Sequence, residues 1–443
     1  MVSEKISIIV NIGELSFTIS EALLYIYENN SKDVILDDIV YGINTIKNSL
    51  KRENLFNEDL RNLFKKFEKN KLIYLNNKKL LLDFQELFRY NLDVVISNSL
   101  LNEINNRKGY INFDDSEILF EYCNKILIER EVNFHLIFNL CNKTAISNPK
   151  KSFEFSIKLF EKQPGFLSSE ENLHKGYIYK YSNQRTFEKC PVCGGDGIPF
   201  FRAFSYLINT FSYPHLPVKL WNKCNNCKNL YTWKFSEDFL QLSNQSRIVY
   251  PDGNDNFDIV QNADSNVLFR WSSILNNINR NYTKGREVLE VGVGKGEFTA
   301  VALEMNYNID AVEIIPEEAQ KIANLLNIPV YNVDFLNFSL DKKYSIIIMG
   351  DVIEHVTNPI EALKKAYNLL KEDGVLWLST PNYNSAFTRL LKFQDPMFKE
   401  PYHITYFSYE GLKKIIEECG FKVVEYNCSN RYNGSMELII IKK

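Results

Sequence analysis

The sequence has no run of about 18 consecutive apolar residues, the length a helix needs to cross a membrane, so no membrane span is expected. It also has no large excess of either charge: 52 lysine and arginine residues stand against 55 acidic residues, for a formal net charge of −3. This balance argues against a broad nucleic-acid-binding surface. No small-residue cleavage site follows the short apolar run in MVSEKISIIVNIGEL, so no signal peptide is expected. A cytoplasmic protein is therefore predicted, in which the eight cysteines stay reduced unless they bind metal.

The most glycine-rich turn, VLEVGVGKGEF, lacks both common nucleotide-binding signatures. A dinucleotide fingerprint needs a third glycine three residues after Gly294, where Glu297 stands instead. A P-loop needs serine or threonine after Lys295, where Gly296 stands. What is present is an acid, Glu290, followed by G-x-G-x-G between a predicted buried strand and a predicted helix. Glycine permits the positive φ of such a turn and the close approach of a ligand, although a turn without any ligand is the alternative.

Acidic residues also end the strands predicted after this turn. The segment NIDAVEII contains Glu313, about 20 residues beyond the glycine turn, where a βαβ unit places a carboxylate for ribose hydroxyls. The segment IPVYNVD ends at Asp334. A fourth strand, in YSIIIMGDVIEHV, runs into Asp351, Glu354 and His355, and a fifth is predicted in VLWLSTP. Ligands of open α/β sheets bind at such carboxyl ends, so these side chains are candidates for a binding site.

The order of these motifs resembles the class I S-adenosylmethionine (SAM) methyltransferases over about residues 264–443. Two runs, D-V-x-E-H and H-x-T-x-F-S, resemble the subgroup that contains ubiquinone-biosynthesis-type and cell-surface-sugar methyltransferases. The resemblance implies an α/β, Rossmann-like domain with a seven-stranded sheet whose last strand is antiparallel. It also implies SAM as cofactor, with Asp334 near the adenine amine and Asp351 bordering the methionine end. The implied cofactor-binding residues are Glu290, Gly292, Val293, Gly294, Gly296, Glu313, Ile314, Asp334, Phe335, Gly350 and Asp351.

Two histidines are the candidate catalytic residues of this domain. His355 follows the fourth strand, and His403 lies in an aromatic-rich stretch, residues 382–406, that is predicted to form a lid. An imidazole can accept a proton near neutral pH, so each histidine is a candidate base or substrate-orienting residue. The alternative for His355 is a capping or packing role under the helix predicted at Asn358. Glu354 either binds substrate or stabilises the local backbone through hydrogen bonds.

Two C-x-x-C pairs, Cys190–Cys193 and Cys224–Cys227, predict a zinc ribbon. Each pair places two thiolates about one tight turn apart, so two pairs can complete a tetrahedral site. Such a site has four protein ligands, so the zinc would be structural and not catalytic. His215 lies between the pairs and is not needed as a ligand. The alternatives are two unrelated pairs, a redox pair or a rubredoxin-like iron site.

The chain is long enough for two or three domains, and its pattern predicts four segments. Residues 1–184 carry apolar residues at helical spacing and predict a mostly α-helical N-terminal domain, which is a candidate surface for a protein partner. Residues 185–242 form the predicted ribbon, 243–260 a polar linker and 261–443 the methyltransferase domain. In the helical part, His135 and His174 are interpreted as packing or surface residues. Cys123 and Cys141 are interpreted as buried thiols.

The combined prediction is a SAM-dependent methyltransferase that acts on an oxygen or nitrogen atom of a small-molecule or carrier-linked metabolite, with a cell-surface glycan precursor among the candidates. One alternative is a nucleic-acid methyltransferase that uses the ribbon as a reader. The N/D-P-P-Y/F signature of base-amine methylases is missing after the fourth strand, so no nucleic-acid partner is expected. The other alternative is a non-catalytic SAM-binding scaffold whose helical domain recruits a partner.

Overall fold

The structure, a computed structural model, describes residues 134–162, 184–204, 218–236, 266–400 and 402–443, with scattered positions between 111 and 124. The chain divides into two compact units, Met1–Leu167 and Ser168–Lys443. Most of the predicted helical segment 1–184 and the predicted linker 243–260 lie outside the described residues, as do His174, His215 and the side chain of His135. Among the described residues, no helix is long and apolar enough to cross a membrane.

The described part of the first unit is helical. Helix α1 spans Phe134–Lys143 and helix α2 spans Pro149–Lys162. Ser152 of α2 donates a hydrogen bond to the carbonyl of Cys141 at 2.6 Å, which ties the two helices together. Cys123 and Cys141 are buried, as expected, and burial raises the pKa of the Cys123 thiol.

The second unit begins with a small β-structure that contains all four cysteines of the two C-x-x-C pairs. Its strands are β1 (Gln184–Thr186), β2 (Gly197–Phe204), β3 (Val218–Cys224), β4 (Leu230–Thr232) and β5 (Lys234–Ser236). Strands β1 and β5 pair with each other, while β2, β3 and β4 form an antiparallel meander. We call this part, residues 184–204 and 218–236, the cysteine ribbon.

The rest of the unit is a Rossmann-like sheet covered by helices. The strands are β6 (Glu287–Val291), β7 (Asn308–Glu313), β8 (Val330–Asn332), β9 (Tyr344–Gly350), β10 (Leu370–Pro381), β11 (Thr405–Tyr406), β12 (Phe421–Cys428) and β13 (Ser435–Lys442). The helices are α3 (Val267–Asn281), α4 (Glu297–Glu304), α5 (Pro316–Leu326), α6 (Pro359–Leu369), α7 (Ala386–Leu391) and α8 (Tyr409–Glu418).

The large sheet has seven strands in the order β12-β13-β10-β9-β6-β7-β8. Strands β6 to β10 are parallel to one another, and β13 is antiparallel to both β10 and β12. The seven strands and the antiparallel last strand expected from the sequence are confirmed. The central strand β9 reads YSIIIMG and is buried up to Met349, as expected for a parallel strand covered on both faces.

The remaining strand, β11, does not belong to the large sheet. It pairs antiparallel with β4, with Thr405 opposite Tyr231 and Tyr406 opposite Leu230. A four-stranded sheet therefore runs in the order β11-β4-β3-β2, and its first strand comes from the chain segment between β10 and β12 of the large sheet. The cysteine ribbon and this segment are joined by backbone hydrogen bonds and do not merely lie side by side.

Candidate functional site

The glycine turn after β6 adopts the backbone that its sequence requires. Gly292, Gly294 and Gly296 have φ values of 78°, 51° and 83°, a region that favours glycine. A Cβ atom at Gly292 would lie 2.9 Å from a methyl group of Val352, and one at Gly296 would lie 2.9 Å from a methyl group of Ile322. A Cβ at Gly294 would meet no atom within 4 Å. Two of the glycines are thus needed for packing, while the third borders open space that a ligand can fill.

Glu313, at the end of β7, is brought against this turn. One carboxylate oxygen accepts the N–H of Val293 at 3.1 Å and the other accepts the N–H of Ile315 at 2.9 Å. The side chain is buried, so these two bonds fix the carboxylate at the carboxyl ends of the two neighbouring strands. A carboxylate can accept several hydrogen bonds, so this side chain is a candidate acceptor for ligand hydroxyls. The neighbouring Ile314 carbonyl accepts a bond from Asn332 at 3.1 Å.

Glu290, near the end of β6, has a buried carboxyl group that accepts a hydrogen bond from the hydroxyl of Thr299 on α4. Burial raises its pKa to about 8, because the ionised form loses its hydration. Asp334 caps the short 3-10 helix that starts at Phe335, where its carboxylate accepts the N–H of Leu336 at 2.8 Å. The ring of Phe335 is buried in the core.

Asp351 follows Gly350 at the end of β9 and has a positive φ of 54°. Its carboxylate accepts a bond from Ser379 at 3.0 Å and pairs with Arg431 at 3.3 Å. Burial raises the pKa of Asp351, and the positive charge of Arg431 opposes that rise. The Arg431 guanidinium also lies 4.2 Å from the ring centre of Trp271. Sequence reasoning missed Arg431, because it stands in a polar turn, CSNRYNGS, that resembles an ordinary surface hairpin.

Glu354, His355 and His403 form a compact group that we call the Glu-His-His cluster. One ligand atom from each residue lies within 4.8 Å of the others, so the three could hold a metal ion. The two imidazole rings are 4.8 Å apart at 68°. Both histidines are candidates from the sequence, and the His355 ring contacts the carbonyl of Tyr402, 47 residues further along the chain, at 3.1 Å.

Two atoms of this cluster are buried without a hydrogen-bond partner among the described residues. One carboxylate oxygen of Glu354 accepts the hydroxyl of Thr380 at 2.9 Å, whereas the other has no partner. Nδ1 of His403 also has none. Glu354 is 1% exposed and His403 is 6% exposed. Burial is the main cause that raises the pKa of Glu354 and lowers that of His403, so the His403 ring is neutral at neutral pH.

Buried polar atoms are normally paired, and a water molecule, an ion or a ligand can supply such a partner. The neutral ring of His403 and the carboxyl of Glu354 can accept a proton, receive a hydrogen bond or bind a cation. The cluster lies just beyond the carboxyl end of β9, the strand next to β6 in the sheet. It therefore lies at the same edge of the sheet as the glycine turn.

The aromatic stretch 382–406, predicted as a lid, is built into the cysteine ribbon. Phe393 and Phe398 lie 4.5 Å and 5.3 Å from the ring of Phe201 on β2. Tyr406 lies 6.0 Å from Trp221 on β3. Phe398 and Tyr406 are buried, so these rings pack on the four-stranded sheet and do not form a free lid over the site. The prediction of a lid is wrong for these residues, because the aromatic positions serve packing against a distant part of the chain.

The four cysteine sulfurs of the ribbon converge on one point. Sγ atoms of Cys190 and Cys227 are 3.7 Å apart, those of Cys193 and Cys224 are 3.4 Å apart, and all four lie within 4.8 Å of one another. Zn–S bonds of about 2.3 Å place tetrahedral sulfurs roughly 3.8 Å apart, so the spacing suits a metal ion. A hydrogen bond from Cys190 lowers the pKa of the Cys227 thiol, which favours the thiolate that a metal needs.

Residues 268–426 match the sequence model of the family described as "Methyltransferase domain". A relative from Glaesserella parasuis serovar 5, named ubiquinone biosynthesis O-methyltransferase, is 33% identical over 111 residues, 22% of this chain and 46% of the relative. A protein of the same name from Haemophilus ducreyi is 28% identical over 139 residues, 27% of this chain and 58% of the relative. The chain thus spans about half the length of the curated relatives it matches.

Among solved structures, a SAM-dependent methyltransferase from Clostridium acetobutylicum is 15% identical and covers 44% of this chain and 98% of its own, with a TM-score of 0.34. The sequence matches and the seven-stranded sheet together define this part of the molecule. It is similar to the family described as "Methyltransferase domain" and has a Rossmann-like fold, and the cysteine ribbon is joined to it through a shared sheet.

Proposed function

We propose that this protein transfers a methyl group from SAM to an oxygen or nitrogen atom of a small-molecule or carrier-linked acceptor. The observation that carries the proposal is the pair of buried, unpartnered atoms on Glu354 and His403, which lie at the sheet edge that also holds the glycine turn. An acceptor placed there would supply the missing hydrogen-bond partner. Cell-surface glycan precursors are within the acceptor class, and the relatives named as O-methyltransferases make hydroxyl acceptors the first to test.

The residues of the glycine turn fit SAM. The open space beside Gly294 admits the cofactor, and the fixed carboxylate of Glu313 is a suitable acceptor for the ribose hydroxyls. We assign Asp334 to the adenine amine, with Ile314 and Phe335 beside the adenine, and Gly350 and Asp351 to the methionine end. Glu290 and Val293 are the remaining residues that we assign to the cofactor-binding turn. Bound SAM supplies an electrophilic methyl group, so the protein's task is to hold an acceptor atom in line with it.

The Glu-His-His cluster is the proposed acceptor side. A neutral His403 can accept a hydrogen bond or proton from the acceptor, and the neighbouring His355 is the second candidate for this role. Glu354 can receive a second polar group of the acceptor. These roles orient the acceptor and remove its proton, which a hydroxyl or a protonated amine requires before it becomes a good nucleophile.

The same three side chains are also a suitable ligand set for one divalent cation. Two imidazoles and one carboxylate leave coordination positions open, and such a cation would polarise an acceptor hydroxyl. We further propose that the four ribbon cysteines hold one structural zinc ion. The two sites can be separated by experiment, because thiolate ligands favour zinc whereas an imidazole and carboxylate set also accepts harder cations.

The test is a screen of cell extracts with methyl-labelled SAM, followed by mass spectrometry of labelled products. The wild-type protein should label one acceptor class, and Glu354→Gln should label it at least about 100-fold more slowly. The matched control is Glu361→Gln on α6, an exposed carboxylate outside the site, which should keep the wild-type rate. Equal rates for Glu354→Gln and wild type would refute the assignment of the cluster to the acceptor.

Two other readings give different outcomes in this screen. A non-catalytic scaffold would bind SAM and label nothing, and a nucleic-acid methyltransferase would label polynucleotides in the extract. Cation dependence is read from the labelling rate after dialysis against a chelator and after addition of magnesium or manganese. Cytoplasmic location and a partner for residues 1–184 stay predictions, which cell fractionation and affinity purification can test.

A further inference from the structure

One short segment lies between the cysteine ribbon and the Glu-His-His cluster. Residues 398–400 and 402–408, here called the strap, carry His403 and strand β11. On the side of the large sheet, the N–H of Ile404 donates to the carbonyl of Glu354 at 2.8 Å. The backbone N–H of Tyr383 donates to the carbonyl of Phe407 at 2.9 Å. The strap therefore sets the position of His403 relative to the other two members of the cluster.

The cysteine ribbon holds the other side of the strap. The indole N–H of Trp221 donates to the carbonyl of Phe398 at 2.9 Å, and the N–H of Thr232 donates to that of Ile404 at 2.9 Å. The side-chain oxygen of Asn229 accepts the N–H of Ser408 at 3.0 Å. Backbone and side-chain bonds from the ribbon thus reach the strap at its start, middle and end.

Lys219 on β3 makes the contact closest to the cluster. Its ammonium group donates to the carbonyl of Glu400 at 2.7 Å and to the carbonyl of His403 itself. Lys219 is only 3% exposed, and burial lowers its pKa to about 7. A buried charge is costly, so an apolar side chain would serve better at this position if packing were the only requirement. What the lysine adds is a fixed donor for the backbone of a residue in the cluster.

We propose that Lys219 is a positioning residue for methyl transfer, through which the cysteine ribbon orients His403 on the acceptor side. The ribbon is then part of the transfer site and not a separate module. This inference rests on the proposed function of the cluster. It requires that loss of the Lys219 contact lowers the rate of methyl transfer. The affinity for the cofactor, which depends on β6, β7 and their loops, should not change.

The test uses Lys219→Met in the full chain, with Lys422→Met as the matched control. Lys422 is an exposed strand lysine on β12, so both changes remove one positive charge from a strand. Lys219→Met should lower kcat by roughly 10- to 100-fold, because small misplacements of reacting groups cost about that much. Its affinity for S-adenosylhomocysteine in calorimetry and its zinc content should equal those of the wild type. Lys422→Met should match the wild type in all three measurements.

Two results would overturn the inference. A wild-type kcat in Lys219→Met would show that the contact does not position the acceptor side. A parallel loss of kcat and of S-adenosylhomocysteine affinity would show a general structural role. Lys219→Arg keeps the cationic donors and should recover part of the lost kcat. If Lys219→Met fails to fold, Trp221→Phe removes a single donor to the strap and should lower kcat with unchanged S-adenosylhomocysteine affinity.

A measurement without an acceptor separates this inference from the proposed function. Hydrogen exchange in residues 398–408 should become roughly tenfold faster in Lys219→Met, since a hydrogen bond to a charged group is lost, while exchange in residues 287–313 stays slow. Unchanged exchange in the strap would contradict the positioning role. If wild-type protein labels no acceptor but the strap still loosens in the variant, the proposed function fails and the structural coupling stands.

Discussion

Glu313→Gln tests the cofactor side of the site most sharply. Both carboxylate oxygens accept backbone N–H groups, from Val293 at 3.1 Å and Ile315 at 2.9 Å. A glutamine has one acceptor oxygen, so its NH₂ group must face one of these N–H donors. One hydrogen bond to a charged group is replaced by a donor–donor contact, and the ribose hydroxyls lose a charged acceptor. A bond of this kind contributes about 1.5–3 kcal/mol.

If one such bond to the ribose is lost, the affinity for S-adenosylhomocysteine should fall by about 10- to 150-fold. Isothermal calorimetry measures this directly, and urea unfolding checks that the variant still folds. The matched control is Glu317→Gln, an exposed carboxylate in the first turn of α5, which should change the affinity by less than about twofold. A folded Glu313→Gln variant that binds S-adenosylhomocysteine as tightly as the wild type would refute the assignment of Glu313 to the ribose.

Four further predictions concern other parts of the molecule. Gly294→Val should abolish detectable S-adenosylhomocysteine binding in calorimetry, because the turn requires positive φ and the added side chain enters the open space; unchanged binding would contradict this. Elemental analysis should find one zinc ion per chain in the ribbon, and Cys224→Ser should lose it and lower the melting temperature; metal-free wild-type protein would refute the site. His355→Ala and His403→Ala should each lower kcat by roughly 10²–10⁴-fold with nearly unchanged SAM affinity, and two variants with wild-type kcat would exclude both as the base. Burial raises the pKa of Glu290 from 4.5 to about 8, so the unfolded chain loses this proton at a lower pH than the folded chain, and the free energy of unfolding falls as pH rises through this range. Glu290→Gln should therefore raise the melting temperature more at about pH 8 than at about pH 5. An equal change at both pH values would contradict the reasoning.

The parallel strands could be predicted from the sequence because their signals are local. The run from Ile346 to Met349 is continuously apolar, and Asn358 caps α6 through the N–H of Glu361 at 3.2 Å, with Pro359 in the first turn. The approach of Glu313 to the glycine turn also follows from a βαβ unit of ordinary length. Helices and strands whose apolar periodicity and capping residues lie within the element itself can be recognised from the sequence alone.

The long-range contacts left no such pattern. Strand β11 has only two residues and pairs with β4, which lies far away in the sequence, so neither its length nor its period marks it as a strand. Lys219 stands in a short apolar run, where a lysine ordinarily indicates an exposed strand face. Arg431 stands in a polar hairpin turn. Each acquires its role only when another part of the chain folds against it, so single-sequence reasoning has no signal for it.

The shared sheet also changes what a shortened chain should do. The sequence predicts that residues after about 258 form a separate domain that binds SAM by itself. In the structure, β11 and the strap lose their ribbon partners in such a fragment. We therefore expect the fragment to bind S-adenosylhomocysteine and to transfer methyl groups poorly, a combination that calorimetry and the labelling assay can detect. Full transfer by the fragment would contradict a role of the ribbon in the site.

The most direct test of the central claim is the transfer of a labelled methyl group from SAM by the purified full-length chain. The account predicts that the wild-type protein labels one acceptor class, that labelling is strongly reduced in Glu354→Gln, and that it is unchanged in the control Glu361→Gln. Tight binding of S-adenosylhomocysteine with no labelled product from any extract would contradict a methyl-transfer function, and it would leave a SAM-binding protein without catalysis.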